Sequence, residues 1–195
     1  MRITGGTLGG AILKVPKGLA VRPTPDKVRL AIFNSLGASI QNASVLELFA
    51  GSGALGLECI SRGASSSFFV ELSSKHTRMI KHNIKSIGIP PNIAQCKTED
   101  AFTAIEQLKN SANSFDFIFA DPPYGEKNNN NRSHSLAQQL LDNQYLPLLL
   151  KKNGKLILGH TKRDTLEFIE PWKLKKTLKH GDTLIEIIEL PTKPS

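Results

Sequence analysis

Two alternating periods constrain this chain more than anything else in it. From Ser44 onward, short apolar runs alternate with segments of helical spacing. Val45–Phe49, Ser67–Glu71, Ile93–Cys96, Phe115–Ala120 and Lys155–Leu158 read as strands, and Trp172–Lys179 with Leu184–Leu190 as a closing pair. Gly53–Arg62, Ser74–Ile87, a segment capped by Thr98 and running to Lys109, and Leu136–Leu150 read as helices. Parallel strands cannot be joined by tight turns, so helices must carry the crossovers. The pattern therefore predicts an α/β fold: a doubly wound, mostly parallel, seven-stranded sheet. In such sheets ligands bind beyond the carboxyl ends of the strands, so the residues just after each strand are the ones to read.

The first 43 residues differ in texture. Met1–Ala20 is glycine-rich and could form a short hairpin. In Arg22-Pro23-Thr24-Pro25-Asp26, Thr24 suits an N-cap, Pro25 the first helical position and Asp26 the positive helix end, and Gly37 can stop that helix. Arg29 reads as a solvated or structural helix charge. We expect a basic extension, 1–43, of short hairpin plus helix, followed by the alternating α/β domain, 44–195. Lys+Arg outnumber Asp+Glu 25 to 17, a net charge of +8 that favours a polyanionic partner such as nucleic acid. No apolar run approaches the roughly 18 residues of a membrane span, and the N-terminus lacks a signal-peptide core. Cys59 and Cys96 are too few for a disulfide framework or a zinc site. The five histidines are scattered and read as surface or helix-face residues, so no metal is expected. These features fit a cytoplasmic protein.

The first strand runs into Gly51-Ser52-Gly53-Ala54-Leu55-Gly56, a Gly-x-Gly-x-x-Gly turn between strand and helix. Gly51 and Gly53 let backbone approach a ligand, and Gly56 lets helix pack on strand. Glu71 ends the second strand, where a carboxylate can accept ribose hydroxyls. The motif fits any adenosine-containing cofactor. Glu47, just before the turn, would repel a pyrophosphate but attracts the ammonium of S-adenosylmethionine, directly or through water.

Asp121-Pro122-Pro123-Tyr124 directly follows the fourth strand. The exocyclic amine of a base is a poor nucleophile because its lone pair is delocalised into the ring. Two acceptors on its hydrogens can turn that lone pair outward: the Asp121 carboxylate is one and the Pro122 carbonyl, aimed by the following Pro123, the other. Tyr124 offers a face on which the base can stack. Asp121, Pro122 and Tyr124 are thus the candidate catalytic residues.

These two motifs resemble class I, Rossmann-like methyltransferases acting on exocyclic amines. Together with Met1–Gly6, Arg22–Leu36 and Leu48–Glu58, they make the chain similar over nearly its whole length to the RsmD family, which methylates N2 of one guanine in bacterial 16S rRNA. The resemblance implies that Phe49, Ala50, Gly51 and Gly53 line the methionine part of S-adenosylmethionine. It places Glu71 at the ribose and Asp100 at the adenine amine, with Leu72 and Ala101 in the same cofactor set. It puts Arg2, Arg22 and Thr24 with Tyr124 on the RNA. The partner implied is 16S rRNA, naked or within the small subunit or an assembly intermediate, met by a monomer. The chain departs from the family where Gly9-Gly10-Ala11 replaces a basic pair, and at the loop Asn128–Asn131. The Asp-Pro-Pro-Tyr motif serves adenine N6 as well as guanine N2. A nicotinamide-dependent oxidoreductase and a non-catalytic RNA-binding protein are further alternatives.

Overall fold

A computed structural model describes residues 1–15, 24–124 and 133–191. The chain forms two compact units, Met1–Ala101 and Phe102–Ser195. The first contains α1 (Asp26–Leu36), β1 (Ser44–Leu48), α2 (Ala54–Ser61), β2 (Ser66–Glu71), α3 (Ser74–Ser86) and β3 (Ala94–Thr98). Helix α4 (Ala101–Asn110) leads into the second, with β4 (Phe115–Ala120), α5 (Leu136–Asp142), β5 (Leu150–Thr161), β6 (Lys173–His180) and β7 (Thr183–Glu189).

In the first unit β2 lies between β1 and β3, all parallel, with Leu48 opposite Val70 and Glu71 opposite Thr98. That register brings the ends of β1 and β2 level, so the segments leaving the two strands meet. In the second unit β4 pairs with β5 in parallel, and β7 joins β5 to β6 in antiparallel fashion. The seven strands make the mostly parallel α/β sheet expected from the sequence, with the closing pair as its antiparallel hairpin.

The N-terminal segment shares the first unit's core. Ile3 and Leu13 pack with Leu57, Phe69 and Ile80, all nearly or wholly buried; fully burying such side chains stabilises by about 1.5–3 kcal/mol each. Among the described residues of Met1–Ala20 the expected hairpin is reduced to one antiparallel bridge, Arg2 with Ile12, because Gly5, Gly6, Gly9 and Gly10 fill the space between with turns. A buried ionic cluster ties this segment to α1 and α2. Glu58 accepts from the backbone and hydroxyl of Thr4, both at 2.7 Å, and from Arg62 at 2.8 Å. Fully buried Arg29 donates to the carbonyls of Arg2 and Thr24 and to Asp26. Arg29 is therefore structural, not solvated.

Several boundaries differ from expectation. Pro25, not Thr24, is the N-cap of α1, and no side chain caps it. Thr98 ends β3 instead of capping α4. The helix expected over Leu136–Leu150 stops at Asp142. There the Asn143 side chain accepts from the backbone of Tyr145 and Leu146, Pro147 enters a short 3-10 turn, and Leu150 already starts β5. His160, expected on a surface or helix face, is a buried β5 residue bonded to Glu186.

Candidate functional site

In the first unit a backbone turn is held by two carboxylates. Leaving β1, Phe49 takes φ +54°, an uncommon conformation for a side chain of its size, and Gly51 and Gly53 follow at +55° and +74°. The Ala50 N–H donates to the Val70 carbonyl at 3.0 Å, which fastens the turn to β2. Glu71, 8% exposed, accepts from the Gly51 N–H at 2.7 Å through one oxygen and from the Ser73 N–H at 2.8 Å through the other. His76 Nδ1 lies 3.3 Å from that second oxygen. One carboxylate thus joins the glycine turn to the start of α3. Phe49, Ala50, Gly51, Gly53 and Glu71, singled out separately in the sequence, come together here.

Glu47 does something the sequence did not suggest. It is buried, and its carboxylate accepts from the N–H groups of Leu55 and Gly56, at 3.3 and 2.8 Å. These are donors of the first turn of α2 that have no partner within the helix, and the positive helix end favours an anion there. Gly56 sits so close that a Cβ would come within 2.5 Å of Phe69 Cε1 and 2.8 Å of Glu47 Oε2.

Asn83 was missed altogether. It is fully buried on the inward face of α3, with Thr77, Ile80 and Ile84. Its amide donates to the carbonyls of Lys14 and Ser52 and accepts from the Lys14 N–H, so it links the glycine turn to the N-terminal segment. A polar residue within an apolar stripe of helical spacing was the available signal.

Beyond Glu71, Leu72 is 70% exposed, an apolar side chain presented outward directly after the strand end. Asp100 is half-buried before the first residue of α4, and Ala101 is buried. The Arg2 side chain is exposed and 3.4 Å from Asp26. Thr24 is half-buried, with its carbonyl held by Arg29. Arg22 and Asn128–Asn131 lie outside the described residues. Burial pushes both thiols up, that of Cys96 to about 11 and that of Cys59 well above its usual range, so neither is a thiolate nucleophile at neutral pH.

In the second unit, Asp121 follows β4 half-buried, Pro122 is buried, and Tyr124 is 43% exposed. The Tyr124 hydroxyl lies 3.3 Å from Thr183 Oγ1, so the ring is held at one end while remaining open to solvent. Gly159 of β5 faces Asp121 so closely that any side chain there would displace its carboxylate. Below this surface the buried His160 contacts Glu186 and the Asp164 carbonyl, while Asp164 accepts from Ser133. These bonds tie the end of β5 to the middle of β7 and to the segment before α5. No group of three or more metal-ligating side chains occurs among the described residues.

The family described as Conserved hypothetical protein 95 matches residues 1–189. Ribosomal RNA small subunit methyltransferase D of Haemophilus influenzae is 31% identical over 182 residues, covering 93% of this chain and 89% of that protein. A Bacillus subtilis protein provisionally named as an rRNA methyltransferase is 39% identical over 127 residues, 65% of this chain and 68% of that protein. Among solved structures, a Thermus thermophilus protein described only as hypothetical superposes with a TM-score of 0.78 at 28% identity, over 97% of this chain and 99% of that one.

Proposed function

The chain belongs to that family, the RsmD methyltransferases, and from this premise we propose that it methylates the exocyclic N2 of a guanine in bacterial 16S rRNA. The methyl donor is S-adenosylmethionine, whose sulfonium supplies an already activated methyl group.

The residues of the first unit fit this donor. Glu71 is fixed by two backbone N–H groups and has lone pairs left to accept the ribose hydroxyls. Leu72 offers apolar cover to the adenine, and Asp100 with Ala101 stands at its amine. Phe49, Ala50, Gly51 and Gly53 provide backbone of close approach for the amino-acid end. Glu47 keeps a negative charge beneath the glycine turn, which favours an ammonium and disfavours a pyrophosphate.

The second unit handles the base. Asp121 and the Pro122 carbonyl accept from the amine's hydrogens and aim its lone pair at the methyl, and Tyr124 stacks the ring. The target base must leave its stack for this to happen. Little acid–base work is needed, so the residues act mainly by positioning, which can lower a barrier by roughly 7–11 kcal/mol. Asp121 also stabilises positive charge developing on the amine, which gains the methyl as the neutral thioether leaves and then loses one N–H proton to water.

We assign residues 1–43, with Arg2, Arg22 and Thr24, to RNA contact and 44–195 to catalysis, in a monomer acting in the cytoplasm on rRNA or the small subunit. Among the described residues no helix is long and apolar enough to cross a membrane. The observation that carries this reading is the open Tyr124 ring, held by Thr183 just after Asp121 at the end of β4. The test is transfer of labelled methyl to 16S rRNA and to small-subunit particles lacking the modification, followed by nucleoside digestion. N2-methylguanosine supports the reading. N6-methyladenosine would move the target to adenine, and no incorporation into either substrate would overturn it.

A further inference from the structure

The β6–β7 hairpin carries a charge pattern that the reaction does not use. Strand β6 ends the order β4-β5-β7-β6 and is therefore an edge. Over Lys173–His180 it holds four lysines and a histidine, with no acid, and all four lysines are exposed. Of the hairpin's acids, Asp182 pairs with Lys162, Glu186 with buried His160, and Glu189 with Lys175 of β6 itself at 2.8 Å.

Register decides which of these cations matter. Paired residues in an antiparallel ladder share a face, and alternate residues along a strand do too. Thr183 pairs with His180, Ile187 with Lys176 and Glu189 with Lys173, across a bulge after Leu174. His180, Lys176 and Lys173 therefore lie on the face that carries Thr183, whose hydroxyl holds Tyr124. Thr161 of β5 is also opposite Thr183 on this face, two residues beyond Gly159, which abuts Asp121. On this face Leu178 separates His180 from Lys176, and Ile185 and Ile187 of β7 are buried, so the part open to solvent passes from Tyr124 and Thr183 to His180 and along the edge strand to Lys176 and Lys173.

We propose that this face of the hairpin is the track for the RNA strand flanking the target base, with Lys176 and Lys173 on its phosphates and His180 beside the nucleotide next to the stacked one. The proposal rests on the rRNA-methylating function above and names a docking surface for it. RNA is the partner that fits, because a cationic row leads from an open aromatic ring, and stacking plus phosphate contact is how single strands are held. Exposed lysines on an edge strand also discourage edge-to-edge pairing, and the experiment separates the two roles.

The experiment compares wild type with Lys173→Gln/Lys176→Gln and with Lys81→Gln/Lys85→Gln, which removes the same charge from exposed positions on α3. Methyl transfer to 16S rRNA is measured over a range of RNA and salt concentrations, with sedimentation to detect self-association. The hairpin variant should raise KM for RNA several-fold, leave kcat and donor affinity unchanged, and flatten the dependence of log K on log salt by about 1.5, the loss of two phosphate contacts. The α3 variant should match wild type. The docking surface is overturned if the hairpin variant keeps its KM and salt slope, if both variants lose affinity equally, or if self-association is the only change. Wild type failing to methylate rRNA would instead sink the function beneath it, and the docking surface with it.

Discussion

Replacing Gly56 by alanine sets two opposing effects against each other in one position. Alanine is the better helix former by about 1 kcal/mol, and Gly56 lies inside α2, so propensity alone predicts a more stable protein. The surroundings predict the reverse. A Cβ would stand 2.5 and 2.9 Å from two ring carbons of Phe69 and 2.8 Å from Glu47 Oε2. Phe69 is fully buried among Leu57, Ile80 and Ala54, so the ring cannot withdraw without disturbing the core. Overpacking of this kind costs about 1–3 kcal/mol. Glu47 must also retreat from the Gly56 N–H, a charge-assisted bond worth about 1.5–3 kcal/mol. Steric and polar losses outweigh the propensity gain, for a net destabilisation of about 2–5 kcal/mol. Urea unfolding followed by circular dichroism measures it. Because Glu47 holds the glycine turn, affinity for S-adenosylmethionine should fall as well. An alanine variant at least as stable as wild type, with unchanged donor affinity, would refute the claim that packing at this turn dictates glycine.

Other outcomes rest on the same geometry. Glu58→Ala leaves buried Arg29 with Asp26 as its remaining carboxylate and removes the acceptor of Thr4 and Arg62, so the chain should lose about 3–5 kcal/mol on denaturant unfolding. Glu71→Gln keeps the side chain's shape but weakens acceptance of ribose hydroxyls, and calorimetry should find donor affinity reduced by about 1.5–3 kcal/mol, roughly 10- to 100-fold. Gly159→Ala should displace the Asp121 carboxylate and lower kcat while donor binding is retained, as single-turnover transfer will report. Since burial raises both thiol pKa values, native protein should react slowly with iodoacetamide at pH 7. Labelling of Cys96 should rise only as pH climbs toward about 11, and fast labelling at neutral pH would contradict its burial.

The sequence made the fold legible where local signals and tertiary packing agreed. The run Phe115–Ala120 became β4 residue for residue, and Ser73, which can accept from an N–H, caps α3 as its type suggests. It misled where a side chain overrode the periodic pattern. Leu136–Leu150 keeps helical spacing throughout, yet Asn143 turns the chain and Pro147 prevents resumption. The candidate site was legible as a set of residue types: glycines, acids at strand ends and an Asp-Pro-Pro-Tyr. Their wiring was not. That Glu47 would spend its oxygens on α2, that Glu71 would bridge Gly51 and Ser73, and that Asn83 would join residues 14 and 52 are long-range pairings that no window of the sequence displays. His160 was opaque for the same reason, since only the register of β5 against β7 brings it to Glu186.

In the proposed reaction the glycine turn holds the methyl donor and Asp121 aims the amine. The sharpest check measures donor binding and single-turnover transfer to 16S rRNA on one preparation of Asp121→Ala. Donor affinity should stay at the wild-type value while the transfer rate falls by about 10²–10³-fold, the scale of losing one positioned polar group at developing charge. Transfer at the wild-type rate, or donor binding lost along with transfer, would contradict it.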